Sequence, residues 1–301
     1  MKPFRVAVAR QTGMSDARIR SREFATPFHG VRAAHGIETD SEALARAYAV
    51  KMRKDAAFSH VTAAQLLEAP LPARFTASPL HVTVPTGTAP VRGRGIVGHH
   101  GSYSGSAVAH SALRILPPPS AWLTLGEMLD LPDLVAVADS LVTATRHRAA
   151  WCSVDDLVAA VLTHPRVRGR PTLRSALAFV RPGAASRPES LLRVLLVAAG
   201  FPEPILNFAV PGLPYKVDLA WPEFKFGMEY DGRYHAFPGQ ARADSSRQEF
   251  IHDREWQLMR VQKEDLFDEP RELVARGRRR LAARGFVVPA REISSLVLPR
   301  R

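Results

Sequence analysis

The chain reads as a mixed α/β protein of the α+β kind, closing with a core of order αβββαβα that follows a small mixed α/β domain and a helical connector. Three observations carry this expectation. Lys216–Trp221 and Lys225–Asp231 alternate well enough to be strands, and Pro222 with Glu223 supplies the turn between them. Residues 122–179 repeat apolar side chains at three- and four-residue spacing, the period of amphipathic helices. From Ser186 onward a helical stretch is followed by three strand-like runs, then by helix, strand and helix.

Residues 1–36 read as a small helical unit. Arg5–Gln11 is helical, Thr12-Gly13 turns the chain, Ser15 caps a second short helix running to Arg22, and Phe24–Ala33 returns extended. The pattern fits a shortened helix-turn-helix with a wing, its arginines facing phosphate, and equally a solvated basic helix packed on the next domain. Residues 37–147 form the mixed α/β domain. Helical spacing covers 40–53 and 62–67, strand-like runs cover 80–84, 95–99 and 112–116, and further helices cover 125–129 and 134–143. His99 and His100 are adjacent, so on a strand they face opposite sides and cannot make one metal site unaided. Residues 148–185 form the helical connector, with helices at 154–162 and 172–179 and a basic run at Arg166, Arg168 and Arg170. The Pro- and Gly-containing stretch Arg181–Arg187 marks the domain boundary. Residues 186–286 form the last domain, and the tail 287–301 shows no site.

The length of 301 residues and 46% hydrophobic content exclude a disordered chain. A net charge of +12 favours a polyanionic partner, most simply nucleic acid, although arginine codons of a G+C-rich genome give the same balance. The lone Cys152 excludes an internal disulfide and a multi-cysteine zinc site, and fits a small core residue in a reducing cytosol. Residues 1–20 carry no apolar signal core, and no run of about 18 apolar residues occurs. A cytoplasmic protein without membrane contact is expected.

The chemistry centres on residues 216–235. Side chains two apart on a strand share a face, so Glu229 and Asp231 point together while Met228 and Tyr230 point away. The hairpin brings Asp218 to that acidic face. Three gathered carboxylates repel one another unless a cation, a buried base or a raised pKa relieves them, and Mg2+, with its preference for oxygen ligands, meets that need. In the helix that precedes, Glu189 sits three residues after Ser186. That is the spacing of a capping box, and it also suits a carboxylate reaching the metal from the neighbouring helix.

Two resemblances sharpen these expectations. Phe28–Val31 (FHGV), Phe58–Ala64 (FSHVTAA), His81–Pro85 (HVTVP), Arg94–Val97 (RGIV) and Leu134–Ser140 (LVAVADS) resemble the middle part of proteins related to AbiEi-type antitoxins of type IV toxin-antitoxin systems. That implies a DNA-binding or regulatory module, with a partner toxin or protein complex in view, and a truncated winged helix before it. Asp218 and Glu229-Tyr-Asp231-Gly, with Glu189–Arg193, Gly200–Pro204, His235, Asp244, Arg247 and Trp256–Val261, look like the PD-(D/E)xK endonuclease core. More narrowly they resemble the domain of unknown function 559, a relative of the very-short-patch repair endonucleases.

This second resemblance implies Mg2+- or Mn2+-dependent phosphodiester hydrolysis, with Asp218 and Glu229 holding the ion and Asp231 as a further ligand or a group orienting water. His235 is placed as a general acid or base, or is a loop histidine. Arg193, Arg247, Arg260 and Lys263, the last placed on the late strand, are candidate phosphate contacts, as are Arg278, Arg279 and Arg280 in the basic run that begins at Arg276. One departure stands out. The superfamily has Lys two residues after its acidic ligand, and here that position is Asp231. The domain is therefore either a variant nuclease, with His235 in the lysine's role, or an inactive one kept for binding DNA.

Overall fold

A computed structural model of the chain describes residues 1–37, 40–76, 78–101, 103, 108–110, 112–211, 216–231, 255–289, 291–295 and 298. It divides into two compact units. The first comprises Met1–Leu129 and Cys152–Leu173, the second Asp130–Trp151 and Arg174–Arg301. Among the described residues no helix is long and apolar enough to cross a membrane.

The first unit opens with β1 (Phe4–Arg5), α1 (Val6–Gln11) and α2 (Asp16–Ile19). The Ser15 side chain accepts the Arg18 N–H, so the expected cap forms. The extended return is shorter than expected: β2 (Val31–Arg32) pairs antiparallel with β1. Next come α3 (Ser41–Ala49), capped by Asp40, β3 (Ala57–Phe58) and α4 (His60–Leu66). They are followed by β4 (Leu80–Val84), β5 (Ile96–His100), β6 (Val108–His110), β7 (Leu113–Ile115) and α5 (Pro118–Leu123). The helix expected at 125–129 lies about two turns earlier, where Pro118 occupies the first helical turn, a position that needs no N–H. Among the described residues the five strands run β5-β4-β3-β7-β6. Phe58, Val82, Ile115, Trp122 and Leu123 are fully buried in this unit. α7 (Val154–Thr163) starts in a capping box, in which Ser153 accepts the Asp156 N–H and the Asp156 carboxylate accepts the Ser153 N–H. α8 (Arg170–Leu177) carries the chain out of this unit.

The second unit contains α6 (Leu131–Val142) and α9 (Arg187–Ala198), which pack together through matched charges. Asp133 and Asp139 are six apart on α6, and Arg187 and Arg193 are six apart on α9. The pairs close at 2.7 and 2.8 Å. The compact units group α6 with α9, whereas the expected partition puts residues 134–140 with the middle domain and starts the last domain at 186. The apolar residues of α6 look alike from either side, and the buried ion pairs draw it to the C-terminal unit.

After α9 come β8 (Ile205–Ala209), β9 (Lys216–Trp221), β10 (Phe226–Asp231), β11 (Gln257–Gln262), α10 (Lys263–Phe267) and α11 (Pro270–Ala282). The sheet order is β8-β9-β10-β11, antiparallel throughout except for the parallel pair β10–β11. A 3-10 turn at Pro222–Phe224 joins β9 to β10, with Lys225 in the left-handed region at φ 45°. The core gathers Leu191, Leu195, Leu219, Met228, Met259 and Leu273 between α9, the sheet and α11. Gly277 lets α11 approach: a Cβ there would lie 2.7 Å from the Met228 methyl and 3.1 Å from the Phe201 ring. The helix expected at 240–255 lies almost wholly outside the described residues.

Candidate functional site

The β9–β10 ladder pairs Trp221 with Phe226, Ala220 with Gly227 and Leu219 with Met228, and stops there. The next residues, Asp218 and Glu229, therefore stand opposite one another at its open end. Across β9, the pairs Leu206–Leu219 and Phe208–Val217 bracket Asn207 and Asp218, and across β10 Glu229 pairs with Arg260. A polar row Asn207, Asp218, Glu229, Arg260 thus crosses the four strands. The adjoining row Leu206, Leu219, Met228, Met259 is apolar and belongs to the core cluster. The two-residue period of strands keeps these rows apart.

Local geometry holds the row. Asp218 Oδ2 accepts the Tyr230 N–H at 2.8 Å, so a carboxylate satisfies that backbone donor. Asn207 adopts a left-handed φ of 49° inside β8, which Asn tolerates better than most residues. Its amide donates to the Gly183 carbonyl at 2.7 Å and to the Glu189 carboxylate at 3.2 Å. Glu229 is buried, Asp218 half-buried and Asp231 exposed, in register with Gln262. Two carboxylates on adjacent strands are hard oxygen donors, so Asp218 and Glu229 fit the chemistry of Mg2+ or Mn2+. Asp231 does not complete a tight trio with them. Among the described residues, only His60, His81 and His99 bring three donor atoms of His, Cys, Asp or Glu within 4.8 Å of one another.

Several expected site residues have other roles. Glu189 caps its helix: its carboxylate accepts from the Ala185 N–H and the Ser186 hydroxyl at 2.9 and 2.8 Å, besides the Asn207 amide. Glu189 therefore makes the contacts expected of the capping reading. Arg193 is not a phosphate contact, since it is wholly buried and spans Asp139 and Glu203. An Arg on a leucine-rich helix looks the same in sequence whether it faces solvent or a buried carboxylate. Arg278 is half-buried and donates to the Ala199 and Arg291 carbonyls, so it ties the helix end rather than presenting a free cation. Arg279 is exposed and pairs with Glu272, Arg280 is exposed, and Arg276 pairs with Asp265. Lys263 heads α10 instead of lying on a strand, and it is exposed. Asp244, His235 and Arg247 lie outside the described residues.

The histidine trio went unforeseen. His60 opens α4, His81 lies on β4 and His99 on β5. The parallel register pairs His81 with Val97 and Thr83 with His99, so His81 and His99 share a face two residues apart. His81 Nδ1 and His99 Nε2 lie 2.9 Å apart, and the His60 ring stacks on His99 at 3.7 Å. His60 and His81 are 3% and 6% exposed. Burial, reinforced by the neighbouring imidazoles, lowers His60 to about 2 and His81 to about 4, and burial lowers His99 as well. The signal was split among FSHVTAA, HVTVP and IVGHH, and sheet order alone joins them. Cys152 is half-buried rather than a core residue, and burial raises its thiol to about 12.

Comparison with known proteins adds relatives without a stated activity. No family model matches the chain. Two proteins of Mycobacterium tuberculosis, from strains CDC 1551 / Oshkosh and ATCC 25618 / H37Rv, are each 28% identical over 167 residues. The match covers 54% of this chain and 60% of each relative, and both relatives are described as uncharacterized. No solved structure matches.

Proposed function

We propose that this chain is a DNA-processing protein whose second unit is a metal-dependent endonuclease of the PD-(D/E)xK type, similar to the domain of unknown function 559. The observation that carries this reading is the open end of the β9–β10 ladder. There Asp218 and Glu229 face each other, with helix α9 before the three antiparallel strands and the parallel β11 after them. Asp218 and Glu229 would hold Mg2+ or Mn2+, which supplies polarisation of the scissile phosphate and a lowered pKa for an attacking water. The Tyr230 N–H fixes the Asp218 carboxylate, so its orientation does not depend on the substrate. Arg260, in register with Glu229, offers a guanidinium able to bind two phosphate oxygens. Asp231 and His235 remain the candidates to orient or deprotonate water, and Arg247 a further phosphate contact. The exposed Lys263, Arg279 and Arg280 add affinity for the DNA backbone.

Purified protein is expected to nick supercoiled plasmid with Mg2+ or Mn2+ and to lose this activity in Asp218→Ala and in Glu229→Ala. Cleavage that persists unchanged in both variants overturns the assignment.

A second reading follows from Asp231 in the usual lysine position and from Glu189 committed to its cap. The unit is then a degenerate nuclease in a DNA-binding regulator or type IV antitoxin-like protein. That reading expects a metal-independent shift of promoter DNA that weakens steeply with salt, and no nicking.

A further inference from the structure

We propose that His60, His81 and His99 form a binding site for one divalent ion of the Zn2+ class, with an open coordination position facing the cleft of the first unit. Three imidazole nitrogens suit borderline ions such as Zn2+ and Co2+, whereas Mg2+ prefers oxygen donors. Their donor atoms all lie within 4.8 Å of one another. Nitrogens bound to one tetrahedral ion at about 2.0–2.1 Å must lie a little over 3 Å apart with their in-plane lone pairs converging, so closing on an ion requires the stacked His60 and His99 rings to turn about their side-chain bonds. The 2.9 Å approach of His81 Nδ1 to His99 Nε2 is a shared-proton contact that an ion can replace.

The surroundings are organised as a ligand site requires. His60 Nδ1 lies 2.9 Å from Ser59 Oγ, which itself accepts from the Thr83 hydroxyl at 2.7 Å. With Nδ1–H donating to Ser59, the lone pair of His60 Nε2 is left for the metal, the usual way an outer hydrogen bond sets the tautomer of a ligand. His60 is also held in the left-handed region at φ 52°, with its N–H bound to Thr124 Oγ1 at 2.9 Å. Such strain in a non-glycine residue persists where the surroundings impose it.

His60 and His99 line a cleft of about 690 Å³, shared with Thr124, Glu127, Arg166 and Arg168. Three histidines with a fourth position open to such a cleft leave room for water or a small ligand on the ion. Gly169 shapes this wall. At φ 72° it lies so close to the Gly126 carbonyl that a Cβ would sit 1.8 Å from the oxygen, and Arg168 beside it pairs with Glu127 at 3.1 Å.

The test uses the full chain stripped with a chelator. Calorimetry is expected to show one Zn2+ per chain, and Co2+ is expected to give the intense visible bands of a four- or five-coordinate nitrogen site. His81→Ala and His99→Ala should each weaken binding by well over 10-fold, Ser59→Ala by about 10-fold, while the exposed His29→Ala binds as wild type. The double variant Asp218→Ala/Glu229→Ala should keep the Zn2+ stoichiometry, which separates this site from the proposed nuclease centre. Absence of stoichiometric Zn2+ binding, or octahedral Co2+ bands, in the wild-type protein overturns the proposal even if a variant fails to fold. Equal binding by wild type, His81→Ala and His99→Ala overturns it as well.

Discussion

Replacing Arg193 with Met tests whether a buried ion pair holds the second unit together. Arg193 and Asp139 have side chains 0% and 1% exposed and meet at 2.8 Å. At an effective dielectric near 20 their attraction is about 6 kcal/mol, reduced by the cost of removing both from water. The Arg193 Nε is buried without a hydrogen-bond partner, so part of that cost is not recovered. Glu203, whose side chain is 35% exposed, adds less than about 1 kcal/mol.

Removing the guanidinium leaves the Asp139 carboxylate with the Arg181 N–H and the Ser190 hydroxyl alone, at 2.7 Å each. The expected loss is about 3–5 kcal/mol, read as faster native-state hydrogen exchange at Leu191–Leu196. Adding Asp139→Asn removes the stranded charge and keeps an acceptor for Arg181, so the double variant should regain most of the loss. The pH response supplies a sign. Burial already raises Asp139 above its ordinary value, opposed by Arg193, and the variant loses that opposition. A carboxyl whose folded pKa lies above its unfolded value binds its proton first in the folded state, so the variant should gain stability as pH falls through the folded value. A loss under about 1 kcal/mol, or no recovery in the double variant, refutes the reasoning.

Glu189→Gln puts an NH2 either against the Ala185 N–H and the Asn207 amide or against the Ser186 hydroxyl, and should cost about 1–2 kcal/mol in thermal or urea unfolding; unchanged stability with abolished nicking would instead mark Glu189 as catalytic. The Asp156 carboxyl lies below its usual 3.8 because the Ser153 N–H and hydroxyl donate to it, so its contribution is present above that value and is lost as pH falls through the lower folded one. Amide exchange at the start of α7 should therefore rise in acid, and Asp156→Asn should flatten that rise. Gly169→Ala meets the Gly126 carbonyl in a left-handed backbone position, so the first unit should melt several degrees lower, which differential scanning fluorimetry reads. Cys152, with its thiol raised to about 12, should alkylate far more slowly at pH 8 than a free thiol, as mass spectrometry of iodoacetamide-treated protein would show.

Much of the secondary structure was legible because local periodicity states it. β4, β9 and β11 match their strand-like runs, and the Ser15 and Ser186 caps sit where a hydroxyl precedes a helix. β3, with two residues, and α10, with five, are too short to carry a period. The basic run at 276–280 was legible as charge but not as contacts. Gly277 faces the core, Arg278 ties carbonyls, and Arg276 and Arg279 pair with acids on their own unit.

By itself the sequence determined the alternation that puts Met228 inward and Glu229 on the polar row, because strand periodicity acts between neighbours in the chain. Tertiary structure alone decided that Asp218 faces Glu229 at a ladder end, that α6 joins α9 through Asp133 and Asp139, and that three histidines from α4, β4 and β5 converge. Those outcomes depend on register, sheet order and the burial of charge between residues far apart in the chain, and no local pattern encodes them.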